Sequence, residues 1–136
     1  MIRKALTILL ITTLAMLLGG CLGKSGGSDA DLAAKYKAAA ESIAHVDRAE
    51  VEYKTIAGMG RTGRIDIFAD SSDHDIMMRV FEEALPAIVD AAEGDPEVSL
   101  PIQVVSMDGS KILGVQDLGI SGVRTLNSYR EFLGKK

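Results

Sequence analysis

The strongest constraint on how this chain folds is an uncharged apolar run, Ala5 to Leu18, that ends in a pair of glycines and a cysteine. Those 14 residues would span about 21 Å as a helix, short of the roughly 30 Å hydrocarbon core of a bilayer. Arg3 and Lys4 precede the run and small residues come after it. A short positive start, a brief apolar stretch and small residues at the end mark a secretory leader rather than a structural element. The fold must therefore come from the residues beyond Cys21. The organisation expected is a leader over 1–20, a tether over 21–28 and a single domain over 29–136.

The end of the apolar run carries the specific information. Leu18-Gly19-Gly20-Cys21 resembles the lipobox of bacterial lipoproteins, in which an aliphatic residue and two small residues precede an obligatory cysteine. The resemblance covers residues 1–21 only. It implies cleavage after Gly20, a thioether-linked diacylglycerol on Cys21 and an N-acyl chain such as palmitate on the new terminus. It also implies a chain held to the cell membrane and facing outside the cytoplasm. Two or more acyl chains give the stable anchoring that one cannot, since each buried CH₂ contributes about 0.8 kcal/mol. Leu22 to Ser28 (LGKSGGS) is a flexible tether by composition, with a root-mean-square reach of about 15 Å. Leu22, directly after the cysteine, is not the Asp that marks inner-membrane retention in some bacteria.

Cys21 is the only cysteine, so the chain forms no internal disulfide. Removing residues 1–20 leaves 116 residues with 13 basic and 19 acidic side chains, a net charge of −6. A domain of that size buries its own core without staples. The acidic balance argues against nucleic acid, which calls for a basic stripe. With no Trp, three Phe and three Tyr, the core must be mainly aliphatic.

Asp29 to about Val46 has helical periodicity through Leu32, Tyr36, Ala39, Ile43 and Val46, and His45 falls near its negative end. Residues 49–56 and 64–70 alternate as half-buried strands joined by a glycine-rich turn, Ala57 to Gly63. Ser72 to about Ala92 forms a second helix with the stripe Met77, Val80, Phe81, Ala84, Ile88 and Ala92. Ser72 and Asp75 are placed as a capping box, and Pro86 should kink or split the helix. Val98, Leu100, Ile102 and Val104 alternate as a third strand, with Pro101 pointing to an unpaired edge. After the turn signal Asp108-Gly109, Ile112 to Val115 forms a fourth. Val123 to Leu133 makes a last helix with Val123, Leu126, Tyr129 and Leu133 inward. The fold class expected is α+β: a two-layer α/β sandwich on an antiparallel sheet of about four strands, in α-ββ-α-ββ-α order.

Candidate chemistry is sparse. Gly58-Met59-Gly60-Arg61-Thr62-Gly63 spells GxGxxG, but a dinucleotide site needs that motif between a strand and a helix. Here a strand comes after it, so it reads as a hairpin turn, and no other kinase motif accompanies it. Asp70, Asp73, His74 and Asp75 are the densest group of potential metal ligands. Their spacing is not that of a calcium loop, and acidic residues at a helix start suit the dipole. They are weak candidates, and no metal or other cofactor is expected beyond the lipid. The methionines are read as core filler and leader. No nucleophile motif, zinc-protease motif or P-loop occurs, so the chain is not expected to be an enzyme. The function expected is a lipid-anchored, non-catalytic binding or interaction module whose partner is an envelope protein or ligand. The alternative is cation or small-ligand binding through the acidic cluster around Asp73.

Overall fold

The computed structural model describes residues 27–135. Their elements run α1 (Asp29–Glu41), β1 (Val46–Ile56), β2 (Gly60–Ala69), α2 (His74–Ala91), β3 (Ile102–Val105), β4 (Ile112–Gly114), a 3₁₀ turn (Val115–Leu118) and α3 (Leu126–Phe132). The class is α+β and the order α-ββ-α-ββ-α, as the alternating and helical periodicities require.

The sheet is mixed rather than wholly antiparallel. Its order is β1-β2-β3-β4, with β1–β2 and β3–β4 antiparallel and β2–β3 parallel. The cause is α2. Its 18 residues cover about 27 Å and carry the chain back to the end where β2 began. β3 must then leave from that end and run beside β2 in the same direction. A pattern of one apolar face per strand is silent about direction.

α1 and α2 cover one face of the sheet. Ala49, Tyr53, Ile65, Ile67, Ile102, Val104 and Leu113 face them from the strands. Leu32, Tyr36 and Ala40 of α1 meet this layer, as do Met77, Val80, Phe81, Ala84 and Ile88 of α2. Leu126 and Tyr129 of α3 close the core, and the Tyr129 hydroxyl donates to Leu100 O at 2.6 Å.

Several boundaries differ from the sequence pattern. α1 stops at Glu41, and the next residues form a turn in which His45 has φ 68°, so Val46 opens β1 instead of ending the helix. The cap of α2 is Asp73, whose carboxylate accepts from Ile76 N at 3.1 Å, and Ser72 lies outside it. α2 runs through Pro86 as one helix, because its apolar face stays anchored on both sides of the proline. The regular part of β3 starts only at Ile102, since Pro101 has no N–H to give the ladder. Pro101 O still accepts from Ile65 N at 2.9 Å, so this stretch is no free edge. α3 starts at Leu126 behind a Thr125 cap, and Val123 is exposed rather than inward. Of the methionines assigned to the core, Met77 is buried, but Met59 and Met107 are among the most exposed apolar side chains.

Candidate functional site

The lipobox residues Leu18, Gly19, Gly20 and Cys21 lie outside the described residues. Within 27–135, the four acidic-cluster residues do not converge. Asp70 pairs with His45 Nδ1 at 3.1 Å at the α1–β1 turn. Asp73 is spent on the α2 cap. His74 and Asp75 stand exposed on the first turn of α2. Among the described residues, no three His, Cys, Asp or Glu side chains come together as a metal-ligand set.

The GxGxxG segment is a hairpin. Ile56 pairs with Gly60 across a three-residue turn at 57–59. Gly58 has φ 75° and Gly60 φ 91°, values that L side chains resist. Gly63 is needed for space instead. A Cβ there would lie 2.9 Å from Leu100 Cδ1 and 3.0 Å from Glu52 O. The three glycines thus build a turn and a close strand contact, with no helix N-terminus to receive phosphate.

A group that no local pattern revealed sits where α2 ends. Asp95 comes after the left-handed Gly94, and its side chain is 3% exposed. Its Oδ2 accepts from Tyr36 Oη at 2.7 Å and pairs with Lys35 Nζ at 2.7 Å, both from α1. Burial first, then the hydrogen bond to Asp95, pushes the Tyr36 hydroxyl far above its ordinary range. Arg130 of α3 donates to Ala92 O at 2.8 Å and Asp95 O at 3.0 Å, tying α3 to the backbone just after α2, where Ala92 O also accepts from Asp95 N at 2.9 Å. A cleft of about 570 Å³ lies here, lined by Asp90, Glu93, Asp95, Asn127, Arg130 and Lys135. The buried Asp95 carboxylate and the half-buried Arg130 that border it hold three helices together. The arrangement acts as a clamp between α1, the end of α2 and α3.

The remaining feature is the sheet face that no helix covers among the described residues. Register aligns Arg48, Phe68, Val105 and Ile112 in one cross-sheet row, and Glu50, Asp66, Gln103 and Gly114 in the next. The Arg48 guanidinium lies 3.7 Å from the Phe68 ring centre, a cation–π contact. Ile112 is 58% exposed at the end of this row. Arg64 Nε donates to Asp66 Oδ1 at 3.0 Å; this bond and the neighbouring negative charge of Asp66 hold Arg64 in its charged form. Next to the pair, Gln103, Gln116 and Arg124 help line a shallow depression of about 280 Å³. The face mixes both charge signs with a short apolar row. No protein-family model and no curated protein matches the chain.

Proposed function

We propose that this chain is a lipid-anchored lipoprotein on the outer side of a cell membrane. In this reading its domain is a non-catalytic binding or interaction module of the envelope. The observation that carries the reading is Leu18-Gly19-Gly20-Cys21 at the end of a short apolar run behind Arg3 and Lys4. An exported chain with a single cysteine has no internal partner for it, and lipidation supplies a role. The open face of the sheet, bearing Arg48, Phe68, Asp66 and Ile112, is the surface this reading assigns to a partner. The partner is an envelope protein or ligand and not nucleic acid.

Mass spectrometry of the N-terminus, on protein purified from membranes, tests the anchor. The expected chain begins at Cys21 and carries a diacylglycerol thioether and an N-acyl group. Cys21→Ala should remove the lipid and leave the leader uncut. An unmodified Cys21, or a wild-type chain beginning at Met1, would refute the proposal.

A further inference from the structure

The β1–β2 hairpin tip and the root of the tether lie at the same point of the domain. Ser28 caps α1, and Asp29, the next residue, reaches across to the end of β1. Its carboxylate accepts from Thr55 N at 2.8 Å and from Thr55 Oγ1 at 2.7 Å. Directly beyond Thr55 come Ile56, 42% exposed, and Met59, 83% exposed. Lys54 and Arg61, both exposed, flank them. The tip is thus two apolar side chains between two basic ones, on a domain whose overall charge is acidic. Of the carboxylates near the tip, Asp29 is hydrogen-bonded to Thr55 and Asp31 belongs to the α1 capping box, while the exposed Glu52 lies two residues before Lys54 on the same strand.

We infer that this tip docks on the bilayer to which the N-terminal segment is anchored, with Ile56 and Met59 at the headgroup–acyl boundary and Lys54 and Arg61 beside lipid phosphates. The inference rests on the lipid-anchor reading. Seven residues separate Cys21 from Asp29, so the two lie within about 29 Å even at full extension. The opposite end of the sheet is much farther away. β2 has 10 residues, about 33 Å of strand, and Met107 lies past its far end, where its N–H donates to Ser71 O. A tether attached beside the tip makes its contact with lipid intramolecular, so a weak apolar contact is enough. The chain then stands with β1 and β2 rising from the membrane and the open sheet face turned sideways, free for a partner.

The test uses full-length lipidated protein in vesicles of phosphatidylethanolamine and phosphatidylglycerol. The lipid thioether consumes the Cys21 thiol, so Met59→Cys introduces the only free thiol for an environment-sensitive fluorophore. Met107→Cys, at a methionine that is itself 69% exposed, is the matched control at the far end. The expected result is a blue shift and quenching by nitroxide-labelled lipid at 59 and neither at 107, with Ile56→Ser reducing the shift at 59. Water-like emission at both sites, or equal quenching at both, overturns the inference. A shift at 59 that ignores the lipid quencher and vanishes on diluting protein in the vesicle means that a second copy covers the tip, which also overturns it. Mass spectrometry of the same samples separates the two claims. Lipid on Cys21 with no quenching at 59 removes only the docking inference, whereas a free Cys21 removes both.

Discussion

Tyr36 and Tyr53 pack with ring centres 6.0 Å apart and differ in what their hydroxyls find. The Tyr36 hydroxyl donates to a buried carboxylate, while that of Tyr53 is buried with no hydrogen-bond partner among the described residues. An unsatisfied buried hydroxyl costs free energy, whereas a satisfied one contributes about 1 kcal/mol, and more when its partner is charged. The same substitution should therefore have opposite signs at the two sites. Tyr36→Phe is expected to destabilise by about 1–3 kcal/mol and Tyr53→Phe to be neutral or stabilising. Denaturant titration of both variants checks this, and a large loss at Tyr53→Phe would show that its hydroxyl has a partner. Neither assignment is legible along the chain. Both tyrosines sit at apolar-face positions of their elements, and Asp95 is 59 residues from Tyr36.

Among the elements, the β1–β2 hairpin shows how one motif holds two kinds of glycine. Gly60→Val places a β-branched side chain at φ 91° and should cost about 1–3 kcal/mol. Gly63→Ala should also destabilise, through collision with Leu100 and the Glu52 carbonyl. The separating readout is Leu100→Ala, which clears one of those contacts. It should lessen the penalty of Gly63→Ala in a double-mutant cycle and leave that of Gly60→Val unchanged. Equal coupling at both glycines would contradict the division of roles. The same hairpin exposes β1 as a long edge strand, a hazard for pairing with other chains. α1 blunts it: Glu41 accepts from Ala49 N, Lys37 donates to Ala49 O, and Asp29 accepts from Thr55 N. Those side chains occupy both ends of the strand's free edge.

For the molecule as a whole, stability should fall at both pH extremes for identifiable reasons. Asp108 is held below its ordinary 3.8, first by the Ser110 hydroxyl and then by Ser110 N–H and the Ser106 hydroxyl. Hydrogen bonds from Thr55 lower Asp29, and those from Lys37 and Ala49 N–H lower Glu41 from 4.5. A depressed carboxylate contributes stability above its unfolded value and loses it as pH falls through the folded one. Tyr129, pushed up by burial to about 12, works in reverse, as does Tyr36. Their contribution is present below the ordinary tyrosine value of 10 and lost as pH rises past it. The melting temperature should therefore decline below about pH 4 and above about pH 10. Asp108→Asn should flatten the acid decline, and an unchanged acid limb in that variant would sink the assignment.

The identity of the elements and the side each residue presents are encoded locally. Ile65, Ile67 and Ala69 against Arg64, Asp66 and Asp70, and the α2 stripe from Met77 to Ala92, keep in the fold the sides their periodicities assign. A residue's side depends only on the period of its own strand or helix. The expectation of a leader over 1–20, cut before Cys21, is local in the same sense, since an apolar run and a four-residue motif need no partner elsewhere in the chain. The direction of β3 is different: parallel pairing arises from where α2 delivers the chain and not from any residue within β3. Folding in three dimensions was likewise needed to join Asp95 to Tyr36, Lys35 and Arg130, and to set Asp29 beside Thr55 so that the hairpin tip and the start of α1 share one end of the fold. Those contacts join segments far apart in sequence, and no local pattern encodes the distance between them.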